Sequence, residues 1–293
     1  MNVGLQDIIN GLAQGGVYGI VALALVLIFR STGIINFAQG EMATFCTLLA
    51  WTFIVANGWP YWFGFTLTLG VAFLLGAAVE RVVVRPVEKA PELVIVIVTL
   101  GLFLVFESLS HGIYTGPIKQ LSWPLGEGAV RVGDLFIGKA RIGVLVASLL
   151  IMLLIFAFFR YTKVGLAMRA ATSNPNAARL MGVSVDRMLM LGWGLSSMVG
   201  AAAGIFVANL TGLDPSLMLG VLIYAFAAAV VGGLTSPFGA VVGGLIVGVL
   251  ENIAGATSFI GSDLKTPAAF LIIVLVLLVR PNGLFGRARV VRV

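Results

Sequence analysis

The sequence predicts an all-α fold: a polytopic bundle of transmembrane helices with eight or nine spans. Three observations carry this. The 293 residues have a mean hydropathy of +1.10, with 60% hydrophobic and only 10% charged side chains, whereas a soluble domain carries about 25% charged residues. Apolar runs about 20 residues long, the length a helix needs to cross the hydrocarbon core, recur along the chain. The basic residues fall in alternate connections between these runs, as the positive-inside rule requires.

The runs lie at about 8–29, 36–57, 60–82, 94–112, 140–160, 187–210, 217–233, 238–257 and 266–280. The seventh and ninth are short and read equally as partial or re-entrant helices, so eight full spans remains open. Nine spans with the N-terminus outside leave the C-terminus cytoplasmic. Thirteen of the 18 Lys and Arg residues then lie inside. They are Arg30; Arg81, Arg85 and Lys89; Arg160, Lys163, Arg169, Arg179 and Arg187; and Arg280, Arg287, Arg289 and Arg292. Lys119, Arg131, Lys139, Arg141 and Lys265 stay outside. This placement explains a pI near 9.8 without nucleic acid, and the tail "GRARVVRV" reads as an inner-face anchor near anionic lipid. The opening "MNVGLQD" lacks the basic region of a cleaved signal peptide, so the first span is expected to be retained.

In the first run Gly11, Gly15 and Gly19 are four apart, as are Gly200 and Gly204, Gly239 and Gly243, and Gly244 and Gly248. Small residues at that spacing let helix backbones approach closely. Bundle packing is the plain reading; sliding of smooth interfaces during gating is the functional one.

The stretch "STGIINFAQGEMATF" joins the first two runs and places Asn36, Gln39 and Glu41 within six residues, beside Gly33 and Gly40. A carboxylate is favoured near a helix N-terminus by the dipole, which would make Glu41 a helix-start residue near the inner interface. Alternatively the span is interrupted, and Asn36, Gln39 and Glu41 line a water-filled pathway or its inner gate, where irregular backbone is tolerated. Glu107 in the fourth run, and Glu251 followed by Asn252 in the eighth, are further pathway candidates, because ionisable residues within spans usually face the bundle interior. Glu107 reads equally as interfacial, and Glu251 as a structural hydrogen bond between helices. Asn209 and Asp214-Pro215 read as a turn or as groups facing an incoming substrate.

Connections 113–139 and 161–186 are longer than the roughly 2–8 residues that join bundle helices. The first, outside, holds Gly116-Pro117, Pro124, Gly126 and Gly128, with room for a short hairpin. The second, "YTKVGLAMRAATSNPNAARLMGVSVDR", is cytoplasmic. Within it Asn174 can cap a helix, Pro175 fits the first helical position and Gly182 fits the position past its end. Asn176, Ala177, Ala178, Arg179, Leu180 and Met181 fill about two turns between them, and Leu180 and Met181 are apolar. So short a helix needs something to pack on, either its own bundle or a cytoplasmic partner.

The stretch "GLAMRAATSNPNAARLMGVSVDR" resembles the cytoplasmic loop of branched-chain amino acid ABC transporter permeases of the LivH type. "GIINFAQGE" resembles that family's early motif, and "VGGLTSPFGAVVGGLIVGVLE" and "LVRPNGLFG" its late ones. The four occur in order from about residue 10 to residue 286. Gln39 stands where members often carry His, and Asn176 where members often carry an acid. The resemblance implies one transmembrane permease domain over 1–293, with a 161–186 loop, Arg169 through Gly182 within it, that docks on an ATPase. It implies a multi-pass protein of a bacterial inner membrane. Its partners would be ABC ATPase subunits carrying ATP-Mg, a second, related but non-identical permease, and a periplasmic substrate-binding protein. The implied substrates are branched-chain or related small amino acids; relatives that carry urea or short amides keep that alternative open.

The sequence holds no phosphate-binding G-x-x-x-x-G-K-[ST], no H-E-x-x-H and no G-x-S-x-G. No enzymatic activity, cofactor or metal is therefore expected of this chain itself. Cys46 and His111 are each single in the sequence, which excludes an intramolecular disulfide and a multi-histidine site. The rival from another class is an ion-coupled secondary transporter using Glu107 or Glu251. The ordered 161–186 motif argues against it.

Overall fold

The computed structural model describes residues 4–32, 35–88, 90–124, 126, 128–132, 135–256, 267, 271, 274–276, 278–280 and 283–286. Gly33, Lys89, Glu127, Lys265, the tail from Arg287, and much of the expected ninth span lie outside the described residues. The helices are α1 (Leu5–Thr32), α2 (Gln39–Trp51), α3 (Tyr61–Val79), α4 (Glu92–Ile113), α5 (Lys139–Tyr161), α6 (Lys163–Ser173), α7 (Pro175–Leu180), α8 (Val185–Thr211), α9 (Leu217–Gly232) and α10 (Pro237–Ala256). A π-helical turn, Thr52–Ala56, prolongs α2, and Glu80–Val84 followed by a 3-10 turn at Arg85–Val87 prolongs α3. The 113–139 connection does hold a hairpin: β1 (Ala129–Val132) pairs antiparallel with β2 (Leu135–Gly138), Ala129 facing Gly138.

Among the described residues six segments are long and apolar enough to cross a membrane: Leu5–Arg30, Tyr61–Val87, Leu93–Ile113, Lys139–Tyr161, Val185–Thr211 and Pro237–Gly255. The chain is thus a multi-pass helical membrane protein. Two further expected runs within the described residues are not among these six segments. The α-helical part of the second is only Gln39–Trp51, because its ladder shifts to π spacing at Thr52. The seventh, Leu217–Gly232, has 16 residues.

The chain divides into two compact units. One comprises Met1–Val26, Glu127–Met152 and Leu222–Val293. Its centre is the antiparallel contact of α1 with α10. A Cβ on Gly15 would fall 2.7 Å from the Gly244 carbonyl, and one on Gly11 2.7 Å from Val249 Cα. The glycine spacing seen in sequence is thus spent on backbone contact. Gly232 and Gly239 do the same between α9 and α10. The chain near its C-terminus ties back here, with Leu284 N–H donating to Val231 O and Phe285 N–H to Gly232 O.

The other unit comprises Leu27–Gly126 and Leu153–Val221. Here α8 lies between α2 and α3. Gly76 of α3 packs on Trp193 and Ser197, and Gly194 of α8 packs on Phe73. Ile28, Ala38, Met42, Val79, Phe106 and Trp193 form one apolar cluster, and Leu48, Leu121, Ile205 and Leu213 belong to another. A helix that is apolar all round is a buried one, and α8 from Val199 to Ala208 is buried without a break. By contrast α4 exposes Leu93, Ile97, Leu100 and Leu104 along one side.

Candidate functional site

The first candidate region is the entry into α2. Asn36 and Gln39 are fully buried and Glu41 is 2% exposed. Asn36 Oδ1 accepts the Ala38 N–H at 3.0 Å and Asn36 O accepts the Gln39 N–H at 3.3 Å, so Asn36 closes the turn that precedes α2. Gln39 reaches across to α8. Its Nε2 donates to Ser196 O at 3.1 Å, and its Oε1 accepts from Ser196 Oγ at 3.2 Å. One turn on, Ala43 and Thr47 pack against Gly204.

These contacts fix where α2 begins. Ser196 lies 11 residues past Val185, about 17 Å along a 27-residue helix of about 40 Å. Thus α2 starts beside the middle of α8. A helix start at that level leaves free N–H groups among apolar neighbours. Asn36, Thr44 and Gln39 supply polar atoms there. Thr44 Oγ1 accepts the Met218 N–H at 3.3 Å, which brings the start of α9 to the same level. Glu41 Oε2 is buried and has no hydrogen-bond partner.

Glu107 is half-buried on α4, one position after Phe106, whose ring lies 5.7 Å from that of Phe45 on α2. Glu251 lies elsewhere, in the other unit. Its Oε2 accepts from Tyr18 Oη at 2.7 Å, joining α10 to α1, and Tyr18 Oη accepts from Gln14 Nε2 at 3.1 Å. Asn252 Nδ2 donates to Gly248 O of its own helix at 3.0 Å. The structure thus brings Phe106, the neighbour of Glu107, against α2, and within the other unit it holds Glu251 on Tyr18 and Asn252 on the backbone of its own helix.

The second candidate region is the 161–186 connection. Asn174 caps α7, its Oδ1 accepting the Ala177 N–H at 3.0 Å, and Pro175 takes the first helical position. Gly182 follows with φ +81°, a left-handed conformation suited to glycine. Ala178 is 3% exposed and packs with Ala171 and Val185, whereas Leu180 is 90% and Met181 84% exposed. Asn176 is exposed. Arg179 makes an ion pair with Asp186 at 3.6 Å. Arg169 is exposed on α6. The helix α6 itself goes beyond the sequence reading. Thr162 caps it by accepting the Gly165 N–H at 3.0 Å, and Gly165, Met168 and Ala171 form its buried face. Small residues on that face gave little periodic signal.

Sequence reasoning missed Ser196 and Tyr18, the partners of Gln39 and Glu251, and Thr44, which accepts the Met218 N–H. The signal was present in kind. A buried polar group needs a partner, and Ser196-Ser197 and Tyr18 are among the polar breaks in otherwise apolar runs.

The fold is that of a multi-pass helical membrane protein. Residues 7–280 match the family described as the permease component of branched-chain amino acid transport systems, and the chain belongs to that family. It is 30% identical to the high-affinity branched-chain amino acid transport system permease protein LivH of Escherichia coli (strain K12), over 99% of this chain and 97% of the relative. It is 29% identical to the BraD permease protein of the corresponding system of Pseudomonas aeruginosa, over 99% and 98%. Among solved structures, PsaBC from Streptococcus pneumoniae in complex with Fab is similar at a TM-score of 0.50 and 17% identity, covering 93% of this chain and 91% of that one. That likeness concerns the fold alone.

Proposed function

We propose that this chain is the membrane-spanning permease subunit of a binding-protein-dependent ABC importer that moves branched-chain amino acids across a bacterial inner membrane. The family match across residues 7–280 carries this reading. ATP-Mg is bound and hydrolysed by separate ATPase subunits, a related permease completes the pathway, and a periplasmic binding protein delivers the substrate. The N-terminus faces the periplasm and the C-terminus the cytoplasm, with eight or nine passes. Geometry supports the docking assignment at α7. Leu180 and Met181 stand 90% and 84% exposed at the tip of a capped two-turn helix. Such a tip is a small apolar knob for a groove in an ATPase. Asn36, Gln39, Glu41 and Glu107 belong to the pathway or its gate.

Co-expression with neighbouring transport genes and reconstitution in liposomes tests this. The expected result is ATPase activity stimulated by binding protein loaded with leucine, isoleucine or valine, together with uptake of that amino acid. Stimulation by urea or short amides alone would move the substrate to the runner-up class.

A further inference from the structure

The far end of α3 leaves α-helical spacing at a buried charge. Glu80–Val84 runs with π spacing, and Arg85–Val87 closes with a 3-10 turn. In an α-helix, side chains five residues apart point about 140° away from each other. A π turn instead bonds residue i+5 back to residue i, and here the Arg85 N–H donates to Glu80 O. The Arg85 side chain is thereby brought onto the Glu80 carboxylate. Its Nη2 donates to Oε2 at 3.0 Å and its Nε to Oε1 at 3.3 Å. Pro86, which has no N–H, ends the ladder. Glu80 is 2% exposed, so without Arg85 its carboxylate would be a buried, unpaired charge, which is strongly unfavourable.

The same guanidinium reaches a second element. Arg85 Nη2 also donates to Asp186 O at 3.1 Å, in the first turn of α8 and 101 residues away in sequence. Asp186 belongs to the corner where α7 meets α8. Its carboxylate pairs with Arg179 at 3.6 Å, the Val183 N–H donates to Ala178 O at 2.9 Å, and Ala178 packs with Val185. The exposed Arg179–Asp186 pair contributes little by itself, so the Ala178 contacts hold the corner and the buried Glu80–Arg85 pair is the anchored end. The packing of Gly76 on Trp193 also joins α3 to α8. It lies about 10 Å farther along α8 from Asp186. What Arg85 adds is a link at the end beside α7.

We propose that Arg85, held by Glu80, is a positioning residue for energy coupling. It clamps the start of α8 to the end of α3, so that a displacement of α7 moves both helices together. This rests on the reading of α7 as the ATPase-docking helix.

The test uses the whole importer in proteoliposomes, with ATP hydrolysis and leucine uptake measured on the same preparation. Glu80→Gln combined with Arg85→Gln removes the clamp without stranding a charge. The subunits should still co-purify, and hydrolysis stimulated by leucine-loaded binding protein should persist. Leucine moved per ATP should fall about fivefold or more, the low end of coupling between sites. Arg85→Lys keeps a cation for Glu80 and should recover part of that ratio. An unchanged ratio in the double variant, or a loss of assembly and melting temperature in step with uptake, would overturn the clamp. Leu180→Asp that left ATPase co-purification intact would instead remove α7 as the docking helix, and the leucine-per-ATP ratio of the double variant would still decide the clamp.

Discussion

Gln39 and Ser196 exchange two hydrogen bonds across the α2–α8 contact, one to the Ser196 carbonyl and one from its hydroxyl. They pin the first residue of α2 to the middle of α8, and Gly200 lies directly beneath the Gln39 amide. Gln39→Ala should remove both bonds across the contact and lower stability by about 1–3 kcal/mol. Gly200→Ala should also destabilise, because its Cβ would collide with Gln39 Nε2. The double variant should lose less than the two losses added, since the new methyl enters space the glutamine has vacated. Thermal unfolding of the purified complex reads all three. Additive losses would mean that the two positions do not touch.

Glycines on α1 and α10 differ from those on exposed faces in a way that sets the sign of a substitution. Gly15 faces the Gly244 carbonyl, and a Cβ there has 2.7 Å of room. Nothing lies within 4 Å of a Cβ at Gly70 on α3. Gly15→Ala should therefore force the two backbones apart and cost about 1–3 kcal/mol, the range for overpacking. Gly70→Ala should stabilise by about 0.5–1 kcal/mol through helix propensity alone. Detergent-resistant melting temperatures of the two variants should move in opposite directions.

How much of this was legible in sequence follows the range of each interaction. The α7 helix was readable because its signals are local: Asn174, Pro175 and Gly182 act on neighbours three or four residues away. The hairpin at Ala129–Gly138 was foreshadowed by its glycines for the same reason. The starting level of α2 was not readable, since it depends on Ser196, 157 residues away. Glu251 was recognised as an ionisable residue within a span, but Tyr18, 233 residues distant, could not be assigned to it. Hydropathy also overstated the α-helical part of α2, because apolar character does not record where a hydrogen-bond ladder starts or changes pitch.

The two apolar positions of α7 separate folding from docking. Ala178 is packed against Ala171 and Val185, while Leu180 points outward. Ala178→Asp places a charge in that contact and should loosen the 161–186 segment, measurable as faster proteolysis. Leu180→Asp should leave proteolysis unchanged and yet weaken ATPase co-purification and uptake together, because an unpaired charge would be buried at the interface at a cost of several kcal/mol. Full uptake by Leu180→Asp would place the docking surface elsewhere.

Glu251 decides between ATP-driven and ion-coupled transport. Its carboxylate is held by the Tyr18 hydroxyl at 2.7 Å, and the Tyr18 ring stacks on Tyr224 with centroids 5.1 Å apart. A joint of this kind serves packing, and it needs an acceptor at position 251 rather than a titrating group. Glu251→Gln keeps an acceptor for Tyr18, so assembly and ATP-driven uptake should stay near wild type. Tyr18→Phe removes the donor and leaves the carboxylate oxygen short of a bond, which should cost about 1–3 kcal/mol of stability. In proteoliposomes supplied with ATP on the ATPase side, a protonophore should not slow leucine uptake. If Glu251→Gln abolished uptake in an assembled complex, and the protonophore did the same to the wild type at constant ATP, then proton movement through Glu251 would be driving transport and the packing role would fall.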